Sequence, residues 1–262
     1  MLRASFVLFG DSITQQAFAL ASGWALPIAD AYATSVDVVN RGFSGYNTRW
    51  AAAVAKQLLT TRLFPQLELV TVFFGANDCV LPGLPGDWSR QHVPLDEYAA
   101  NLRRIVVHVR ALENCGGAAP RVVLIAPPPV HEAAWHQRTV DRWAGVNGLL
   151  PADIPCNRTL AAARAYAAAA ARVAADCGVP FIDLCADMLA QDNWHAFLSD
   201  GLHLSATGAA FLAAKLQAVL DTEFDGALRV ANFAPQLPPH TELTASNWQE
   251  KLAAIVPGSW VK

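Results

Sequence analysis

The chain is poor in charge. Only 16% of its 262 residues are Asp, Glu, Lys or Arg, and the formal net charge at pH 7 is −3. With no basic stripe to neutralise phosphates, a nucleic-acid partner is excluded. There is no C-x-x-C pair either: the five cysteines, Cys79, Cys115, Cys156, Cys177 and Cys185, are odd in number and scattered. They read as reduced core thiols of a reducing compartment, neither a disulfide framework nor a zinc site. No uninterrupted apolar run reaches the about 18 residues that a membrane span needs. No cationic segment with an apolar stretch and a cleavage site precedes Ser5. The expectation is a cytoplasmic protein without a membrane span, in which the Asn157-Arg158-Thr159 sequon is an accident. Internal repeats and low-complexity linkers are also missing.

What the chain does have is apolar residues, 53% of the total, enough for one substantial core. Short apolar runs recur at 5–9, 36–40, 67–74, 121–126 and 179–184, separated by longer alanine- and leucine-rich stretches. Continuous apolar strands alternating with helices predict an α/β fold with a five-stranded parallel sheet covered on both faces. Leu95, Leu102, Ile105, Val109 and Leu112 recur at helical spacing after Pro94. Asn157 reads as an N-cap and Gly178 as the closing residue of the alanine-rich helix between them, and Ser205 as the cap of a last helix to about Leu220.

Two segments break the alternation. Residues 79–94 and 127–156 are rich in Pro, Gly and Trp and read as long loops that wall a site. After Thr222 the chain is punctuated by Pro235, Pro238, Pro239, Trp248, Pro257 and Trp260. We expect a single domain over residues 1–222, with 223–262 as an extension packed on it.

In an open parallel sheet, ligand groups gather beyond the carboxyl ends of the strands. Four islands lie at such places: Gly10-Asp11-Ser12, the NRGFSGYNTRW run at 40–50, Gly75-Ala76-Asn77-Asp78, and Asp200-Gly201-Leu202-His203 before the last helix. A serine hydroxyl is a weak nucleophile that needs an adjacent base, most often histidine. Ser12 is therefore assigned as nucleophile and His203 as base. Asp200, three residues earlier on a tight turn, can fix the imidazole tautomer and stabilise the imidazolium. The anionic tetrahedral intermediate needs preorganised donors, and the backbone N–H groups of Ser12 and Gly45 with the Asn77 amide are the candidates.

Those islands, in that order, resemble the four blocks of the GDSL/SGNH hydrolase superfamily. The longer strings LFGDSIT, NRGFSGYNTRW, FFGAND, HVPLDEYAANL and LSDGLHLS are similar, more narrowly, to the isoamyl acetate-hydrolysing esterase family. The resemblance runs from about Phe6 to about Leu220. It implies a three-layer α/β/α flavodoxin-like sandwich, no metal or other cofactor, and ester hydrolysis through a serine acyl-enzyme. By position it makes Ser12 the nucleophile, Gly45 and Asn77 oxyanion donors, and Asp200 and His203 the rest of the triad. The expected substrates are small uncharged esters, acetates of short alcohols foremost. Leu81, Leu84, Val130 and Trp135 on the wall segments, with Leu202 between two triad residues, are expected to shape an apolar pocket.

Other readings stand beside these. Gly-Asp-Ser before a helix is also a favoured capping sequence, and Asp11 is expected to cap while Asp78 ties down its loop. Arg41 and Arg49 are expected to be structural ion-pair partners. His131-Glu132 with His136 misses the H-E-x-x-H spacing by one position, and Gly42-Phe43-Ser44-Gly45 followed by Tyr46 is no G-x-S-x-G elbow. The same triad serves an acyltransferase, a thioesterase or a sugar-ester deacetylase, and the scaffold without chemistry would be a binding module. The oligomeric state has no signature in the sequence.

Overall fold

The computed structural model describes residues 3–253, and in it the first apolar run forms strand β1 (Ala4–Gly10). Its side chains alternate between two cores: Phe6 and Leu8 on one face of the sheet, Val7 and Phe9 on the other. A strand buried on both faces has no polar side, so its sequence is continuously apolar. The chain continues through α1 (Ser12–Gln15), α2 (Leu26–Ala31), β2 (Val36–Gly42), α3 (Thr48–Leu58), β3 (Leu67–Phe73), α4 (Leu95–Arg110) and β4 (Arg121–Ile125). It then forms α5 (Glu132–Trp143), α6 (Leu160–Cys177), β5 (Phe181–Ile182), α7 (Leu184–Leu189), α8 (Ala206–Thr222) and α9 (Trp248–Ala253).

All strand pairs are parallel, in the order β2-β1-β3-β4-β5. Trp24, Ile28, Leu212, Leu216 and Leu220 of the α2 and α8 layer cover the Phe6 face, while Ala51, Leu102, Ile105, Val109 and Val173 of α3, α4 and α6 cover the Val7 face. This is the expected α/β/α sandwich with a five-stranded parallel sheet. Strand order reverses between β1 and β3, and at such a switch point the connections leave a crevice beyond the strand ends.

Local chemistry sets the element ends. α4 starts behind Pro94 with Asp96 and Glu97 in its first turn and ends with Arg110 in its last, each sign complementing the helix dipole. Ser205 caps α8 by accepting from Gly208 N, and Gly178 closes α6 at φ +60°. Three expectations are corrected here. The cap of α6 is Thr159, whose hydroxyl accepts from Ala162 N, because Asn157 turns its side chain to Trp135 and Arg158. β5 is only two residues long: Pro180 has no N–H to give the ladder, and Asp183 turns the chain into α7 by accepting from Ala186 N. The 127–156 segment is no structureless loop but carries α5, capped by His131.

Phe224, Leu228 and Phe233, past α8, pack against the core. Phe233 meets Phe6 and Tyr32 edge-on at 5.6 and 5.8 Å, Tyr32 Oη donates to the Leu228 carbonyl, and Ser35 Oγ donates to the Phe233 carbonyl. These contacts lie near the start of β2, at the opposite end of the sheet from the crevice. Pro257 and Trp260 fall outside the described residues.

Candidate active site

Gly10 ends β1 where a Cβ would sit 2.6 Å from the Phe73 carbonyl oxygen and 2.0 Å from Thr14 Oγ1, so the chain can close onto β3 only with glycine. Asp11 then starts α1 by accepting from Ile13 N at 2.9 Å, the capping role expected of it. Burial pushes its pKa up to about 6, partly offset by the Ile13 N–H and by the neighbouring His203. The next residue is Ser12, buried at the floor of a cleft of about 570 Å³.

Residues far apart in sequence meet it there. Ser12 Oγ lies 2.9 Å from His203 Nε2, and His203 Nδ1 lies 2.8 Å from Asp200 Oδ2. Asp200 Oδ1 also accepts from Leu202 N at 3.1 Å and His203 N at 2.9 Å, so the carboxylate folds its own turn around the imidazole. Desolvation pushes the Asp200 pKa up, but the His203 ring and the two backbone donors outweigh it and hold the group at about 2. An ionised carboxylate only accepts; the shared proton therefore sits on Nδ1, and Nε2 is left to accept from the serine hydroxyl.

The donors face the same space. Gly45, at φ +80°, lines the cleft, and among the described residues neither its N–H nor that of Ser12 has a hydrogen-bond partner. Asn77 follows the turn after β3 at Gly75, whose φ of +128° only glycine adopts freely. Its Nδ2 donates to the Tyr46 carbonyl at 2.8 Å, which leaves the second amide hydrogen for the cleft. Asp78 braces the loop as expected, accepting from Thr48 N at 2.9 Å.

Other expectations about the walls are corrected. Trp135 and Leu202 line the cleft, but Leu81, Leu84 and Val130 do not. Val130 is buried in the core beneath, while Leu81 and Leu84 are tied by their backbones to Asn157 and Ser89 and face elsewhere. In their place the walls carry Trp88 and Trp143, edge-on at 6.1 Å, together with Arg90, Arg138 and Arg142. The lining is mostly polar and aromatic, with Val146, Leu149 and Leu202 as its aliphatic side chains. Arg49 pairs with Glu97 at 2.6 Å as expected, whereas Arg41 lies 5.3 Å from the Phe64 ring centroid and makes no ion pair among the described residues. Sequence reasoning passed over Arg158 and Gln91, which both donate to Asn77 Oδ1, at 3.0 and 3.1 Å.

Residues 8–211 match the GDSL-like lipase/acylhydrolase family. The chain belongs to that family. It is a carboxylic ester hydrolase, as the narrower similarities agree. The isoamyl acetate-hydrolyzing esterase 1 homolog of Mus musculus is 42% identical over 219 residues, covering 82% of this chain and 80% of the mouse protein. Its Homo sapiens counterpart is 38% identical over 224 residues, covering 84% and 83%. Among solved structures, the lipase/acylhydrolase of Enterococcus faecalis superposes with a TM-score of 0.58 at 21% identity, over 88% of this chain and 98% of that one, a likeness of fold. Among the described residues no helix of this family member is long and apolar enough to cross a membrane.

Proposed function

We propose that this hydrolase cleaves small uncharged esters, short-chain acetates foremost, through Ser12, His203 and Asp200. The observation that carries the reading is the unbroken chain from Ser12 Oγ to His203 Nε2 (2.9 Å) and from Nδ1 to Asp200 Oδ2 (2.8 Å) on the cleft floor. His203 Nε2 takes the hydroxyl proton as Ser12 Oγ bonds to the ester carbonyl carbon. The Ser12 N–H, Gly45 N–H and Asn77 Nδ2 receive the oxyanion. When the intermediate collapses, the carbon–oxygen bond to the alcohol breaks and His203 returns the proton to the leaving oxygen. Water then repeats the sequence on the acyl-enzyme, releasing the acid and restoring Ser12. The acetate preference rests on similarity to the isoamyl acetate-hydrolyzing esterase homologs. Its place of action, on the same reading, is the cytoplasm, which five unpaired cysteines suit.

Hydrolysis of p-nitrophenyl acetate, butyrate and octanoate by the native protein and by Ser12→Ala tests this. Activity that falls with chain length and disappears in the variant supports it; equal rates in the two proteins overturn it.

The tryptophan and arginine walls favour one alternative, a sugar-ester deacetylase, because aromatic faces and guanidinium donors suit hydroxyl-bearing rings. Trp88→Ala and Trp143→Ala decide between the two. Under the sugar reading they slow release of acetate from acetylated xylan and leave isoamyl acetate untouched; under the alkyl reading the native protein prefers isoamyl acetate and neither variant changes that.

A further inference from the structure

Arg158 is buried, with 3% of its surface exposed, and no carboxylate pairs with it among the described residues. A guanidinium this desolvated is costly even with the Asp11 and Asp200 carboxylates acting on it without direct contact, and an apolar residue of similar volume would fill the space more cheaply. Besides a bond from Nη1 to its neighbour Asn157 Oδ1 at 3.1 Å, its hydrogen bonds gather around Asn77. Nε donates to the Ala76 carbonyl at 2.7 Å, the peptide group that joins Ala76 to Asn77, and Nη2 donates to Asn77 Oδ1 at 3.0 Å. Gln91 completes the grip: its Nε2 donates to Asn77 Oδ1 at 3.1 Å and its Oε1 accepts from Arg158 Nη2 at 3.2 Å. Trp135, on the cleft wall, covers the guanidinium at 4.7 Å from ring centroid to Cζ.

This arrangement allows the Asn77 amide one orientation. Flipped, its NH2 would face the donors of Arg158 and Gln91, and its oxygen would face the Tyr46 carbonyl. The charge also sits at the carbonyl-oxygen end of the amide, so it polarises the Nδ2–H bonds at the other end toward any anion they meet. A fixed charge in a low-dielectric site acts more strongly on an oxyanion than on a neutral ester carbonyl, which places its effect in the transition state and not in substrate binding.

We propose that Arg158 is a positioning residue of the oxyanion hole, acting through Asn77 to orient and polarise the amide that stabilises the tetrahedral intermediate. This rests on Asn77 being an oxyanion donor.

The test is a double-mutant cycle on p-nitrophenyl acetate with Arg158→Met, Asn77→Ala and the pair, with kcat and KM read separately. For Arg158→Met we expect kcat lower by roughly ten- to a hundredfold, at most the loss from removing an oxyanion donor outright, with KM within about twofold. The pair should fall no further than Asn77→Ala alone, because both substitutions remove one interaction. Arg158→Lys, which keeps the charge but not the fork of donors, should recover part of kcat and follow the same non-additivity, and it is the variant to read if Arg158→Met does not fold. Full kcat in a folded Arg158 variant, or losses that multiply in the pair, overturns the inference. A native protein whose hydrolysis survives Ser12→Ala overturns the underlying reading instead.

Discussion

The backbone N–H of His131 donates to the carbonyl oxygen of Gly201 at 2.9 Å, and this one bond fastens the start of α5 to the turn between Asp200 and His203. The Asp200–His203 turn is thus held by a wall of the cleft. Gly201 has φ +91°, and a Cβ there would stand 2.5 Å from Trp135 N and 2.7 Å from the His131 carbonyl oxygen.

Gly201→Ala should therefore separate the turn from α5 and move His203 away from Ser12. A shift of about 1 Å at the reacting groups costs on the order of a hundredfold in rate. Gly83→Ala is the control: φ is +72° there too, but no atom lies within 4 Å of the added Cβ. We expect kcat to collapse in the first and to hold in the second, with both Tm values lowered by the strained backbone. Equal kcat in the two variants would show that the turn tolerates the displacement.

Asp200→Asn tests the tautomer argument. The amide oxygen can keep the bonds from Leu202 N and His203 N, which leaves its NH2 facing His203 Nδ1. Two donors cannot share that contact. The ring proton then moves to Nε2, facing Ser12, and the imidazole no longer accepts. The expected loss in kcat is on the order of a thousandfold or more, with KM little changed. Steady-state kinetics on p-nitrophenyl acetate decides it, and a loss under tenfold would mean that Asp200 only shapes the turn.

The sheet and the residues that meet on the cleft floor were legible because they depend on short-range chemistry. A strand buried on both faces writes itself as an unbroken apolar run; Ser12 and Asn77 follow strand ends and His203 shortly precedes α8, each just after a glycine that marks a close approach. The cleft walls were not. α5 was hidden by the Trp, Pro and Gly around it, although residues 132–143 contain neither Gly nor Pro and follow a histidine that caps them. Leu81, Leu84 and Val130 were assigned to the pocket by position along the chain, which says nothing about the direction in which a loop side chain points. Arg158 was missed for a related reason: its partners Asn77 and Gln91 lie more than sixty residues away in sequence, at separations of 81 and 67.

Asp78 gives a prediction about stability. The side chain is fully buried; its Oδ1 accepts from Thr48 N and Thr48 Oγ1, and among the described residues its Oδ2 has no partner. Burial pushes its pKa from 3.8 up to about 7, against the Thr48 bonds that pull it down and with the nearby Asp11 adding to the rise. Between about pH 4 and pH 7 the folded protein thus holds a proton that the unfolded chain has released. Stability rises with pH only where the unfolded state binds more protons, so this group makes the fold lose stability across that window and level off above it. The slope it contributes is at most about 1.4 kcal/mol per pH unit. Asp78→Asn keeps the Oδ1 acceptor and cannot ionise, at the cost of a buried NH2 that lowers stability by about 1–3 kcal/mol at acid pH. Urea unfolding at pH 5 and pH 8 should show the variant losing less stability than the native protein between the two. Asp11, pushed up to about 6, leaves both proteins a residual slope of the same sign. Parallel stability curves for the two proteins would mean that Asp78 is already ionised in the fold at pH 5.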